Sequence, residues 1–290
     1  MKVCLSCRAG FHSQDWSCPN CGAQAEHING YPVLYPRSTV PEDGFKAEYF
    51  ARLAGIEAAN FWFRSRNRLI LWAVERYFSG AENFLEIGCG TGFVLSAIKK
   101  KFPSLSLYGS DIYAEGLNCA KERAGHLSLM LMDARAIPYE NEFDLIGAFD
   151  ILEHVKEEEL VLSQIHKSLR KGGGMLLTVP QHPFLWSRSD EAACHLRRYH
   201  AAQLKAKVEK TGFRILKMTS FVSLLLPLMI LARLWEKHVR REKYDVMRSL
   251  EFNWTVDILM EKVLDFERFL VQKGVSFPFG GSLFLIARRT

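Results

Sequence analysis

The stretch Asn83-Phe84-Leu85-Glu86-Ile87-Gly88-Cys89-Gly90-Thr91-Gly92-Phe93 constrains this chain more than any other. A short apolar run ends in three alternating glycines, and residues 93–101 then read as a helix. Strand, glycine turn and helix in that order gather backbone N–H groups and the positive end of a helix at one mouth, where a carboxylate or phosphate binds. A dinucleotide fingerprint would read Gly-x-Gly-x-x-Gly. Here the third glycine comes one position early, at Gly92, and Phe93 fills the place it would need, which disfavours NAD.

Further apolar runs alternate with helical patterns. Residues 106–110 lead to Asp111, residues 127–131 to Met132-Asp133-Ala134, and residues 143–149 to Asp150. Residues 156–170 read as a helix, Lys171-Gly172-Gly173-Gly174 as a turn, and residues 175–179 as a strand ending at Pro180. Residues 213–220 and 283–288 read as a closing hairpin pair, making seven strands. Such alternation predicts an α/β fold with a doubly wound, mostly parallel sheet. In these sheets ligands bind beyond the carboxyl ends of the strands, where Gly88, Asp111, Asp133 and Asp150 all fall. Asp111 would also serve as a cap for a helix beginning at Ala114, and Asp133 as a turn residue.

Glu86-x-Gly88-x-Gly90-x-Gly92 resembles the first motif of class I S-adenosylmethionine (SAM) dependent methyltransferases, and the later segments match that family station by station. The resemblance covers about residues 45–221 and the last strand. It implies a Rossmann-like fold and SAM as cofactor, with Glu86, Gly88, Gly90 and Gly92 in its loop. Asp111 would accept from both ribose hydroxyls, Ile112 would pack on adenine, and Asp133 with Ala134 would read the adenine amino group. Asp150 belongs to the same set.

Ahead of the loop, residues 45–78 read as helical with a break at Asn60. Residues 60–68 then set Phe61, Trp62 and Phe63 beside Arg64, Arg66 and Arg68. They form either a core-packing helix with a solvated basic side or a lid, in which Trp62 or Phe61 covers the cofactor and Arg64 or Arg66 meets its carboxylate.

Methyl transfer is an in-line displacement, so few side chains are strictly required beyond those that hold the nucleophile and, for a hydroxyl, remove its proton. Asp150-Ile-Leu-Glu153-His154 resembles the matching segment of ubiquinone-type O-methyltransferases, which implies an oxygen acceptor. It also resembles plant small-RNA 2'-O-methyltransferases, where two acids and two histidines hold a divalent metal. The matching residues here are Asp150, Glu153, His154 and, loosely, His195, with Asp150 in place of the usual Glu. We rank His154 first as a general base oriented by Glu153, with His195 close by, and second as a metal ligand. Residues 180–199, dense in polar and aromatic groups, read as the acceptor loop; Cys194 stands where a glycine is expected. Arg197 and Arg198 read as acceptor contacts or as a solvated helix start before residues 201–211.

Four of the seven cysteines form two knuckles, Cys4-x2-Cys7 and Cys18-x2-Cys21, separated by the ten residues 8–17. Each knuckle aims two thiolates at one point, and the spacer is long enough to bring the pairs together as a closed structural Zn2+ site. Two disulfides are the competing reading, disfavoured in a reducing compartment. Residues 1–37 therefore read as a zinc ribbon, residues 36–44 as a linker, and residues 45–290 as the methyltransferase domain with a helical insertion at 221–280. Cys89, Cys119 and Cys194 read as structural.

The insertion opens with twelve largely apolar residues, 221–232, interrupted by Ser223 and Pro227, and runs into a basic cluster through Tyr244. This is too short to span a membrane. Pro227 is expected to kink or break the helix. An apolar face with a basic end suits an anionic membrane surface, or else packs on the sheet or a second subunit. Helical residues 256–273 read as core or dimer surface through Ile258, Leu259, Val263, Phe266, Phe269 and Leu270.

With 38 Lys and Arg against 32 Asp and Glu, the net charge of +6 is mild and argues against a nucleic-acid acceptor. Met1-Lys2-Val3-Cys4 does not open a secretory signal, so a cytoplasmic location is expected, peripheral to the inner face of a membrane if the insertion docks there. The expected activity is O-methylation of a small or lipid-linked acceptor, a glycan or quinone-like precursor. An RNA methyltransferase with a docking ribbon and a non-catalytic SAM-fold binding protein are the rivals.

Overall fold

The computed structural model describes residues 1–13, 15–35, 48–125, 127–238, 245 and 247–290. The expected linker at 36–44 and most of the basic cluster before Tyr244 lie outside the described residues. At the amino end, β1 (Lys2–Val3) pairs with β2 (Gly10–Phe11), and β3 (His27–Ile28) with β4 (Tyr31–Pro32). Then come α1 (Tyr49–Ile56) and α2 (Phe61–Tyr77), separated at Asn60, whose extended backbone lets its side chain accept from the Trp62 N–H at 2.9 Å. The alternating region runs β5 (Asn83–Ile87), α3 (Phe93–Lys101), β6 (Ser106–Asp111), α4 (Ala114–Ala124), β7 (Ser128–Leu131), β8 (Phe143–Phe149), α5 (Glu158–Ser168) and β9 (Leu169–Pro180). The chain ends with α6 (Arg188–Ala192), α7 (Ala201–Lys210), β10 (Phe213–Phe221), α8 (Leu226–His238), α9 (Trp254–Gln272) and β11 (Ser282–Arg289).

Seven strands form one sheet in the order β10-β11-β9-β8-β5-β6-β7, parallel from β9 to β7, with β11 antiparallel to both neighbours. The order reverses between β5 and β8, so the ligand crevice lies over their carboxyl ends. Strand residues alternate between two cores. Phe84, Leu145, Leu176 and Phe284 pack with α2, α3 and α4, whereas Leu85, Ile146, Leu177 and Leu285 pack with α5 and α7.

Three details differ from the sequence reading. The glycines at 172–174 do not precede the strand: β9 already pairs at Leu169 with Phe143, and a register shift takes up the extra residues as a bulge. Pro227 begins α8 rather than kinking it, because a residue in the first turn has no intrahelical N–H bond to lose. The stripe that α9 buries is Asp257, Leu264, Glu267 and Val271, while Leu259 and Phe266 stay 63% and 55% exposed. The two acids earn that burial by capping other elements. Asp257 accepts from the Phe61 N–H at 2.6 Å, and Glu267 from the Ser223 and Leu224 N–H groups at 2.7 and 2.8 Å.

Candidate functional site

The glycine loop joins β5 to α3. Its Cys89 N–H donates to the Ser110 carbonyl at 2.8 Å, tying it to β6. Gly92 takes φ 71° at the start of α3, and a Cβ there would stand 2.7 Å from the Ala120 Cβ, so the loop packs directly on α4. Gly92 is thus a packing residue; Glu86, Gly88 and Gly90 line the cavity above the sheet.

At the end of β6, the Asp111 carboxylate accepts from the Gly90 N–H at 2.9 Å and the Tyr113 N–H at 3.0 Å. Burial pushes its pKa up to about 6 against the pull of these bonds. Burial also holds Glu86 well above the usual carboxylate range, opposed by the Arg66 charge. Ile112 and Ala134 line the same cavity, as does Asp133, which is paired with Arg135 at 2.7 Å.

The first helices roof this region. Arg66 stacks on Trp62, 4.5 Å from its ring centroid, and forms an ion pair with Asp150 inside the cavity. Arg64 faces away, against Asp257 and Glu261 of α9, so of the two arginines only Arg66 is placed to meet a cofactor. A buried cluster that sequence reasoning missed fastens α1 to the loop. The Glu57 carboxylate, raised by burial, accepts from Thr91 and Arg123, and Arg123 also donates to the Ala54 carbonyl at 2.6 Å. Glu57 and Arg123 lie 66 positions apart, and nothing in the local pattern marks them as partners.

Beyond β8 the chain turns through Asp150, which has φ 58°, into Glu153 and His154. Opposite them Asp190 closes a capping box with Ser187 and accepts from His195 Nδ1 at 2.9 Å and Arg198 Nε at 2.8 Å. Burial alone would raise its pKa, but these donors hold it down to about 2. Arg198 is therefore buried structure rather than a solvated helix start, and Arg197 pairs with Glu158 at 2.9 Å. Cys194 adopts φ 58°, the left-handed conformation that accounts for the expectation of glycine there.

The rings of His154 and His195 meet edge to face at 4.8 Å. Burial, with His195 beside it, lowers the His154 pKa to about 4. Glu153 is fully buried, and neither of its oxygens has a hydrogen-bond partner among the described residues, so it does not orient His154 through a hydrogen bond as the sequence reading expected. Ligand atoms of Glu153, His154 and His195 lie within 4.8 Å of one another. Of the four residues matched from sequence, Glu153, His154 and His195 come together here, whereas Asp150 is paired with Arg66.

The glycine loop, the acids at the strand ends, Arg66 and the two histidines open into one cavity of about 1230 Å3. Pockets for a single small ligand commonly run to about 300–1,000 Å3, so the space exceeds one such molecule. Its far side is apolar, built from Val222, Leu225, Leu228 and Met229 at the head of α8 with Phe252 and Met260, and it carries Arg233.

A second constellation lies at the amino end. Cys4 Sγ is 3.7 Å from Cys21 Sγ and Cys7 Sγ 3.7 Å from Cys18 Sγ, with all four sulfurs within 4.8 Å. A tetrahedron built on Zn–S bonds of about 2.3 Å has edges of about 3.8 Å, so the four thiols fit zinc, and no pair is at bonding distance for a disulfide. The knuckles repeat one turn: Cys4 N–H donates to Ala9 and Cys18 N–H to Ala23, at 2.9 and 2.8 Å.

Residues 55–218 match a family model described as a methyltransferase domain. The chain is 25% identical over 114 residues to the malonyl acyl-carrier-protein O-methyltransferase of Priestia megaterium, covering 39% of this chain and 42% of that protein. It is 30% identical over 108 residues to the mitochondrial ubiquinone biosynthesis O-methyltransferase of Candida albicans, covering 35% and 33%. The match thus spans well under half the length of these curated relatives. Among solved structures, phosphoethanolamine N-methyltransferase 2 of Haemonchus contortus in complex with SAM superposes with a TM-score of 0.57 at 18% identity, covering 88% of this chain and 61% of that one, a likeness of fold.

Proposed function

The chain belongs to the class I SAM-dependent methyltransferases, and on that premise we propose that it methylates a hydroxyl on a small or lipid-linked acceptor, such as a glycan or quinone-like precursor. The observation that carries the proposal is the single cavity running from Gly90, Asp111 and Asp133 past His154 and His195 to the apolar head of α8. When bound, SAM supplies a sulfonium methyl open to in-line displacement. Asp111 takes the ribose hydroxyls, Asp133 with Ala134 the adenine edge, Ile112 the adenine face, and Arg66 the carboxylate, while Glu86 and Asp150 steady the loop and Arg66. His154, half-buried and uncharged, receives the acceptor's proton, with His195 held beside it by Asp190. Cys4, Cys7, Cys18 and Cys21 hold a structural zinc.

A lipid-linked acceptor is supported by α8. Leu228 lines the cavity, and Leu231 and Trp235 continue along the helix outside it, 62% and 71% exposed. Lys237, Arg240, Arg241 and Lys243 follow in sequence, a composition that draws such a helix to an anionic membrane surface. No helix among the described residues is long and apolar enough to cross a membrane.

A second reading is favoured by Glu153. An orphaned, wholly buried carboxylate beside two imidazoles, one of them fixed through Nδ1 by Asp190, is a donor set that fits a divalent cation. Such an ion would lower the pKa of an acceptor hydroxyl. Calorimetric titration with SAM and with S-adenosylhomocysteine (SAH), each with and without Mn2+, tests both readings, since one carboxylate and two imidazoles suit a transition-metal ion. Binding of both nucleosides is expected, and its absence overturns the assignment. Mn2+ binding that is lost in Glu153→Gln establishes the cation site; equal behaviour of the two proteins toward Mn2+ leaves His154 as the base.

A further inference from the structure

The four-cysteine module is joined to the sheet at the strand that bears the adenine-side residues. β7 is one of the two edge strands of the sheet, and Met132-Asp133-Ala134 follow directly from its end. Its outer edge is covered: Val33 bridges Leu131 in parallel, and the Leu34 N–H donates to the Leu131 carbonyl at 2.7 Å. The far end of the same loop is gripped as well. The Val3 N–H donates to the Pro138 carbonyl and the Glu140 N–H to the Met1 carbonyl, both at 2.9 Å, and Trp16 packs edge-on against Tyr139 at 5.4 Å. The loop carrying Asp133 and Ala134 is thus bracketed by the module on both sides.

A third contact reaches the ribose side. Tyr35 is 8% exposed, and its hydroxyl donates to the Ile112 carbonyl at 3.1 Å. Ile112 lies between Asp111 and Tyr113, and the Asp111 carboxylate in turn receives the Tyr113 and Gly90 N–H groups. A path through the Ile112–Tyr113 peptide and the Asp111 carboxylate therefore connects Tyr35 to the glycine loop. From the cysteines outward, Cys4 and Cys18 pack with Phe11, and Phe11 meets Trp16 edge-on at 6.1 Å.

We propose that the four-cysteine module is a positioning part of the SAM site, with its metal-held fold and Tyr35 setting cofactor affinity. This rests on the assignment of Asp111 and Asp133 to adenosine. A separate docking module needs only a tether to its partner. Here the contacts fall mainly on the two segments that face adenosine, with the Tyr31 hydroxyl donating to Asn118 of α4 at 3.1 Å and the Met1 amine pairing with Glu142 besides, which makes the module the outer support of that half of the cavity. Tyr35 is a positioning residue, since it acts through the Ile112 peptide.

The test uses the full chain, with SAH as probe. Tyr35→Phe keeps the buried ring and removes one hydrogen bond, so SAH affinity should fall about fivefold. A purely structural role would instead move the melting temperature and leave the dissociation constant alone. Stripping the metal with a chelator should weaken SAH at least tenfold and speed amide hydrogen exchange in residues 128–140, and both changes should reverse when zinc is returned. Equal SAH affinity in loaded, stripped and Tyr35→Phe protein, with unchanged exchange in 128–140, overturns the proposal. Failure of the loaded wild type to bind SAH is a different result: it overturns the adenosine assignment and this proposal with it. Should the stripped protein unfold, Tyr35→Phe decides alone.

Discussion

Replacing Gly90 by alanine separates what the glycine loop contributes to folding from what it contributes to the cofactor. Gly90 sits at φ 48°, a conformation that costs a residue with a Cβ about 1–2 kcal/mol. Beyond its chain neighbours, the one atom of the described residues within 4 Å of a Cβ built there is Cε1 of Phe50, at 3.6 Å, an ordinary contact, so no crowding is added among them. Gly92→Ala is the paired control. Its φ of 71° carries the same cost, and its Cβ would lie 2.7 and 2.8 Å from the Cβ and Cα of Ala120, adding about 1–3 kcal/mol of overpacking. At about 2–4 °C per kcal/mol, Gly90→Ala should melt about 2–8 °C below the wild type, and Gly92→Ala further below. Gly90 and Phe50 both line the cavity, so the new methyl occupies its wall where the loop's N–H groups face the ligand. SAH affinity of Gly90→Ala should therefore fall at least tenfold, about 1.4 kcal/mol, in a protein that is still folded at 25 °C. Thermal unfolding and calorimetry with SAH, run on both variants, check this. The reasoning fails if Gly90→Ala binds SAH within twofold of the wild type, or if Gly92→Ala is the more stable of the two.

Elemental analysis should find one zinc per chain, and none in a Cys18→Ser/Cys21→Ser variant; metal-free wild type isolated without chelators would count against the site. Arg123→Ala leaves the buried Glu57 carboxylate without its cation and should destabilise the protein by about 3–5 kcal/mol, read by denaturant unfolding, with a loss under 1 kcal/mol refuting the role of the cluster. In the ligand-free protein burial holds Asp111 near a pKa of about 6, and a ribose hydroxyl donating to it favours the carboxylate. Binding then releases a proton at low pH, so SAH affinity should be level from pH 7 upward and weaken about tenfold per unit as the pH drops below 6. Affinity that stays level to pH 5 would remove Asp111 from the ribose.

The parallel strands were legible because strands buried on both faces are written as unbroken apolar runs, as in residues 145–149. The acids at their ends were legible because chain direction alone decides which end faces the crevice. Contacts between distant side chains were not. Two positions apart on a helix, Arg64 and Arg66 point to different sides, so the sequence offered both, and only the fold brings Arg66 into the cavity and turns Arg64 to α9. Asp150 could be placed at a strand end, yet only the fold shows Arg66 claiming it and His195 coming forward beside Glu153. The glycine expected at Cys194 came from the resemblance to related loops, and the structure gives that position the left-handed backbone that glycine favours. The docking of residues 33–35 had no signature, since a short apolar run between prolines looks the same paired or free.

That docking also bears on solubility. An outer strand offers unsatisfied N–H and C=O groups to any chain that can lie beside it, and parallel edges are costly to leave bare. A chain shortened to begin at residue 48 would bare β7 and, with it, the apolar surface of Met130, Leu131 and Tyr139 that Leu34 and its neighbours cover. Such a fragment would recruit further copies through that edge, so self-association is the expected behaviour of a trimmed methyltransferase domain. The first 35 residues serve as the sheet's guard against its own kind.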